Sequence, residues 1–279
     1  MRFLSWMGRL PLGLLYAFSD VVYFLLYYVV QYRKKLVFSH LRRAFPEKTT
    51  SEITQIARKF YRHLADIFVE TVKLPYFSVS EVQRRVEVQN RELLQGFIDQ
   101  QQPFLSFGAH MGNWEWIPAG LTTRGVPVDA IYKTLTNQKS DEFMKALRSS
   151  FGVHLIPMPR LMREIVTRKQ VPRLIALLAD QSPHAPAHAY WFSFLHQETA
   201  FFPGTEKVAR ATQMPIVYGE IYRKQRGYYV VRFELIAQPP YESLPEGSIT
   251  EIYKNKLEES IRQNPSDWLW SHNRWKHKR

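Results

Sequence analysis

His110 and Glu115 stand five residues apart in Leu105-Ser-Phe-Gly-Ala-His-Met-Gly-Asn-Trp-Glu-Trp116, a run that is otherwise apolar and aromatic. A histidine beside a carboxylate is a pairing that deprotonates an alcohol. The carboxylate fixes the imidazole tautomer and stabilises the imidazolium that forms. On a continuous α-helix five residues turn through about 140°, so from mid-helix the two side chains would face apart. At a helix start they can converge. Pro103 to Phe107 reads as a short buried strand, Gly108 and Gly112 loosen the turn, and Asn113 is placed to cap a helix whose first turn carries Glu115. The spacing alone equally suits a capped helix with a hydrogen-bonded histidine, so the rest of the chain must decide.

The elements that would position such a pair follow in order. After Glu115, Val126 to Tyr132 is strand-like and Gln138 to Phe151 helical. Val153 to Pro157 is again a strand, Pro159 to Lys169 helical, and Arg173 to Ala179 a nearly continuous apolar run suited to a sheet buried on both faces. That alternation predicts an α/β fold with a mixed, largely parallel sheet flanked by helices. Asp180 and Gln181 follow the last of these runs, where sites in open α/β sheets form; a turn before Ser182-Pro183 is the plainer alternative. Upstream, Thr50 to Leu74 carries Ile53, Ile56, Ala57, Phe60, Leu64 and Ile67 on one helical stripe, with start chemistry at Ser51, Glu52 and Thr54 and a stop at Pro75. Downstream, Pro215 to Tyr222 and Tyr228 to Leu235 form a hairpin whose basic tip, Arg223 to Gly227, reads as a solvated turn, and Ile252 to Arg262 reads as a helix.

With 279 residues, 45% of them hydrophobic, the chain can bury a full core. It has no cysteine, which excludes disulfides, thiol catalysis and thiolate metal sites. The formal charge of +13 implies an anionic partner, and nucleic acid and an anionic membrane both satisfy that number. The N-terminus chooses between them. Leu10 to Tyr32 is long and apolar enough for a bilayer, which needs about 20 such residues, and Arg33, Lys34, Lys35, Arg42, Arg43 and Lys48 follow it. Asp20 interrupts the run and would have to be buried against the domain or held at an interface. The expected organisation is an anchoring helix over 1–35 and a catalytic domain over 36–279. His184, His188 and His196 fall in an irregular stretch, Pro183 to Phe202, best read as a mobile aromatic loop and not as a metal site. There is no phosphate-binding glycine loop, no G-x-S-x-G elbow and no nucleic-acid recognition motif.

Gly-Ala-His-Met-Gly-Asn-Trp-Glu resembles the active-site signature of the bacterial lipid A biosynthesis acyltransferases, a Glu-bearing relative of the H-x-x-x-x-D motif of glycerolipid acyltransferases. Further resemblance lies in Ser39 to Glu47, Ile56 to His63, Glu70 to Leu74, Leu178-Ala-Asp-Gln181 and the closing Trp270-Ser-His-Asn-Arg-Trp-Lys276, so it extends from about Arg33 to Lys276. Two departures stand out: Asn273 replaces an arginine, and the turn reads Pro203-Gly204-Thr205 where the family has a Pro-Thr-Gly order.

The resemblance implies a glycerolipid-acyltransferase-like fold and transfer of a fatty acyl chain from acyl carrier protein to a hydroxyl of the Kdo-lipid A precursor. The reaction would run at the cytoplasmic face of the bacterial inner membrane, without metal or cofactor. His110 would be the general base on that hydroxyl and Glu115 its orienting and polarising partner. Substrate contacts are expected from Asn113, Lys133, Arg148, Asp180, Gln181 and Thr205, and groove walls from Trp114, Trp116, Phe201 and Phe202. Another lipid acceptor, or a non-catalytic lipid-binding protein, is the alternative, since likeness of motif does not fix the acceptor.

Overall fold

The computed structural model describes residues 2–279. Its N-terminal part is helical: α1 (Arg2–Met7), α2 (Leu12–Phe24) running on through a π turn at Leu25–Val29, α3 (Lys34–Ala44), α4 (Thr50–Lys73) and α5 (Val79–Arg85). Strands and helices then alternate through β1 (Val86–Gln89), α6 (Arg91–Asp99), β2 (Phe104–Gly108), α7 (Ile117–Thr122), β3 (Val128–Tyr132), α8 (Gln138–Arg148), β4 (His154–Pro157), α9 (Leu161–Thr167) and β5 (Leu174–Leu178). A small hairpin of β6 (Tyr190–Phe194) and β7 (Gln197–Phe201), helix α10 (Gly204–Thr212), the long hairpin β8 (Ile216–Gln225) and β9 (Tyr228–Ala237), and α11 (Ser248–Gln263) complete the chain.

Seven strands form one sheet in the order β1-β9-β8-β2-β5-β3-β4, parallel throughout except for the β8–β9 hairpin. The expected mixed, largely parallel sheet is therefore present. Strand β2 lies at its centre, with Phe104, Leu105 and Phe107 fully buried, because a strand covered by helices on both faces has no polar side to present. The irregular stretch from Pro183 is more ordered than expected, since its second half forms the β6–β7 hairpin.

Helix α4 starts at Thr50 as expected, but its cap lies two residues before Ser51. Thr49 is the cap, and it exchanges hydrogen bonds with Glu52 in a capping box. The helix stops at Lys73, just before Pro75, which has no amide hydrogen to continue it. Helix α2 packs along α4, burying Leu15, Ser19 and Tyr23, while Leu14, Phe18, Val21, Leu25 and Tyr28 recur at helical spacing on an exposed face. With the π turn it makes an 18-residue segment, Leu12–Val29, of mean hydropathy 1.6.

The basic tip of the β8–β9 hairpin is not the solvated turn that charge alone suggested. Arg223 and Arg226 both bind the fully buried Asp66 of α4, and Arg226 also binds Asp20 of α2 at 2.8 Å. Asp20 is thereby paired, which resolves the carboxylate in an apolar run.

Candidate active site

The catalytic-looking histidine is placed by sheet register. Strands β2 and β5 are parallel neighbours with Gly108 opposite Leu178, so two residues further on His110 comes opposite Asp180. Both lie just past the carboxyl ends of central strands. His110 Nδ1 meets Asp180 Oδ1 at 2.7 Å, and the His110 backbone amide donates to Asp180 Oδ2 at 3.1 Å. The indole of Trp268 donates to the same Oδ2 at 2.9 Å. Three donors around a buried carboxylate hold it ionised: burial opposes its charge, but His110, Trp268 and the amide together keep its pKa below the ordinary carboxylate value. On His110 burial likewise opposes charge, and the Asp180 carboxylate overrides it, so the imidazole pKa is raised.

Orientation follows from these contacts. With Nδ1–H donated to Asp180, Nε2 is the free acceptor, and it faces the exposed Gln181, whose Nε2 is 3.4 Å away. The C-terminal segment braces this loop. Leu269 N donates to His110 O, Gly112 N donates to Asp267 O, and Met111 and Trp268 form an antiparallel bridge. Gly112 sits at φ 49°, where a β-carbon would meet Ile221 at 3.1 Å, so the turn after His110 requires glycine. His272 accepts the Ser182 amide at Nε2, and its burial pushes its pKa down to about 4.

Glu115 arrives by a different route. The chain forms a 3₁₀ turn, Trp114–Trp116, before α7, and this points Glu115 at the last turn of α8. Arg148 takes its carboxylate with two hydrogen bonds, 2.8 and 2.6 Å. Trp114 stands between the two halves of the site, its ring 5.1 Å from that of His110 and its indole donating to Glu115 Oε1 at 3.2 Å. Glu115 thus acts on the imidazole through space, and the side chain that fixes the His110 tautomer is Asp180. Arg148, expected on the substrate, is a fork on Glu115, and Asp180, also expected there, is buried against His110.

The remaining expected contacts divide by burial. Gln181 and Lys133 are exposed at this end of the sheet, and Lys133 Nζ lies 3.4 Å from His184 Nε2. Asn113 is fully buried and caps nothing with its side chain. Its amide donates to Glu70 at 2.7 Å, and no part of the side chain reaches solvent. Thr205 is buried in the first turn of α10, where its neighbour Glu206 ties that helix to Gly247 and Thr250. Of the four expected groove residues, Trp116 belongs to the core, with its indole on Glu70 O and its ring against Phe77 and Tyr229. Phe201 is core as well, packed between Phe194 and the Arg274 guanidinium. Only Trp114 and Phe202 present surface, Phe202 being 50% exposed. Asn113 and Trp116 are assigned to the site from their place beside His110 and Glu115 in the chain, and Phe201 from its place before the turn at Gly204; burial is a tertiary property. Trp268 was missed, and the closing tryptophan-rich block was the signal that could have found it.

Among the described residues no group of three or more His, Cys, Asp or Glu side chains is placed to share a metal ion. His184 lies beside Lys133 and His196 beside Arg262.

Fold and geometry together define an α/β enzyme with a histidine–carboxylate pair at the carboxyl ends of neighbouring central strands. The chain belongs to the bacterial lipid A biosynthesis acyltransferase family, whose model matches residues 1–277, and it is an enzyme that transfers acyl groups. Among solved structures it is similar to the 1-acyl-sn-glycerophosphate (LPA) acyltransferase from Thermotoga maritima, with TM-score 0.39 and 16% identity over 91% of this chain and 97% of that one. No curated protein matches the chain.

Proposed function

We propose that this protein transfers a fatty acyl chain from acyl-acyl carrier protein to a hydroxyl of the Kdo-lipid A precursor, at the cytoplasmic face of the bacterial inner membrane. The observation that carries the chemistry is the His110 imidazole, locked by Asp180 at 2.7 Å on Nδ1 with Nε2 turned to the exposed side. Nε2 accepts the proton of the acceptor hydroxyl as its oxygen attacks the thioester carbonyl. The tetrahedral intermediate then expels the carrier thiolate, which takes the proton back from His110, so one thioester becomes one ester and one thiol. Asp180 stabilises the imidazolium between these steps. Glu115, oriented by the Arg148 fork, polarises the hydroxyl and adds to that stabilisation. The chain has no cysteine and no serine elbow, which supports direct transfer without an acyl-enzyme.

Lipid acceptor and acyl donor follow from the family. The phosphorylated, acidic acceptor suits the +13 charge, and Lys133 with His184 supplies exposed nitrogen donors at the site's end of the sheet. Residues 1–35 would supply anchoring through the exposed apolar face of α2, and 36–279 the catalysis. Two arms test the reading. In purified protein, His110→Ala and Glu115→Ala are expected to lose about a hundredfold or more in acyl transfer from acyl carrier protein while staying folded and membrane-bound. Near wild-type rates for both would sink the site. In cells lacking the gene, mass spectrometry of lipid A is expected to show one missing acyl chain. Intact lipid A with a different lipid under-acylated would move the acceptor to that lipid.

A further inference from the structure

Glu70 of α4 is fully buried, and none of the steps above uses it. Its Oε2 accepts from Asn113 Nδ2 at 2.7 Å and from Tyr229 OH at 2.7 Å; its Oε1 accepts from Tyr16 OH at 2.8 Å; its backbone carbonyl accepts from Trp116 Nε1 at 3.1 Å. Two of these donors, Asn113 and Trp116, bracket Glu115 in the chain, and Asn113 lies three residues past His110. Tyr16 belongs to α2, the apolar helix outside the sheet domain. A buried carboxylate therefore joins the outer helix to the loop of the candidate active site through one shared pair of oxygens.

Packing alone does not explain this arrangement. Asn113 Oδ1 is buried with no hydrogen-bond partner among the described residues, a condition that folded proteins largely avoid. Asn113 must turn its NH₂ towards Glu70, because a carboxylate only accepts, and the orphaned carbonyl is the consequence. An apolar side chain in that place would leave no orphan, but it would also leave the loop untied. One turn earlier on α4, Asp66 repeats the connection. It accepts from Ser19 of α2 at 2.7 Å and from Arg223 at 2.7 Å, and the Arg223 backbone amide donates to Asp267, the residue before Trp268. The two carboxylates thus reach both sides of the site, Glu70 the 3₁₀ turn of Glu115 and Asp66 the segment that holds Asp180.

We propose that Glu70 is a positioning residue for acyl transfer, and that with Tyr16 and Asn113 it makes the geometry of the His110–Glu115 loop depend on the docking of α2. This rests on His110 as the base. The physical link is that Tyr16 donates one of the three side-chain hydrogen bonds that this desolvated carboxylate receives among the described residues. Burial already raises the Glu70 pKa, so removing a donor favours its protonation. A protonated Glu70 presents a donor and a weaker acceptor, and Asn113 loses its fixed partner. Helix attachment and catalytic rate would then change together without any residue of α2 touching substrate.

A double-mutant cycle on the full-length protein in detergent or vesicles tests this, with Tyr16→Phe, Asn113→Ala and the pair, reading kcat, KM for acyl-acyl carrier protein, melting temperature and vesicle co-sedimentation. Tyr16→Phe is expected to lower kcat about tenfold, as small misplacements of reacting groups do, with KM and co-sedimentation unchanged. The double variant is expected to lose no more than Asn113→Ala alone, because both act through one carboxylate. Where Asn113→Ala does not fold, Glu70→Gln, of equal volume and with one acceptor oxygen kept, takes its place in the cycle. Additive losses, or a Tyr16→Phe kcat equal to wild type, would overturn the coupling. His110→Ala assayed alongside separates the two ideas: if it keeps its rate, the base assignment fails; if it loses its rate while the cycle is additive, only the coupling fails.

Discussion

Asp180 governs which proton His110 holds at rest, and the consequence can be read from a pH profile. Its negative charge favours the imidazolium and raises the His110 pKa against the effect of burial. With neutral imidazole as the proposed base, activity should fall as pH drops through that raised pKa. In Asp180→Asn the raising charge is gone and burial remains, which lowers the pKa. The acid limb of kcat/KM is therefore expected to move to lower pH, while the plateau falls by about a hundredfold through loss of the tautomer lock and of imidazolium stabilisation. A limb that stayed in place would mean that another group titrates there. Arg148→Ala makes a second, separable change. It leaves a largely buried Glu115 carboxylate without its fork, so the rate should fall and the His110 limb should shift to higher pH, since Arg148 opposes the imidazolium.

At the scale of elements, the molecule is an α/β sheet with a helix strapped to its helical layer by polar contacts. The exposed face of α2 carries Leu14, Phe18, Val21 and Leu25, whereas its inner face is tied by Ser19 to Asp66, Tyr16 to Glu70 and Asp20 to Arg226. Hydrophobic insertion of the outer face does not depend on ionic strength, and the following basic cluster does. High salt is therefore expected to leave the full-length protein in the membrane fraction and detergent to release it; complete release by salt would exclude an embedded helix face. Arg226→Ala removes one of two arginines from a buried Asp66. It should cost about 2 kcal/mol or less, since Arg226 is partly exposed and Arg223 remains, and thermal unfolding would measure it.

Over the whole molecule, acid sensitivity follows from histidines folded in their neutral form. Burial lowers the pKa of His40, His63 and His272 from 6.5 to about 4 each. For a group whose folded pKa is depressed in this way, the unfolded chain binds the proton first. The contribution to stability is complete above pH about 6.5 and is lost as pH falls towards 4. The melting temperature should drop steadily from pH 7 to pH 5, and His40→Phe should flatten that slope; a slope unchanged by the substitution would place the titrating groups elsewhere.

The parts of this protein that its sequence determined are those set by period and run length. An apolar stretch before Gly108 makes β2, another after Arg173 makes β5, the helical stripe from Ile53 makes α4, and the alternation between them requires a largely parallel sheet. The place of His110 was legible too, because a turn that follows a buried strand sets its residues past that strand's carboxyl end. Its partner was not. Glu115 is near in the chain and Asp180 is 70 residues away, and only the parallel register of β2 with β5 brings the second within 2.7 Å of the imidazole. Asn113 failed in the opposite direction. An asparagine before a helix satisfies backbone donors when nothing stronger competes, and here a desolvated carboxylate from α4 competes and wins. The basic hairpin tip belongs to the same class, since charge in a turn reads as solvated until the fold brings Asp66 and Asp20 against it. Local propensity and burial pattern are properties of neighbours along the chain, while which charge meets which is decided by where the sheet and helices set them in space.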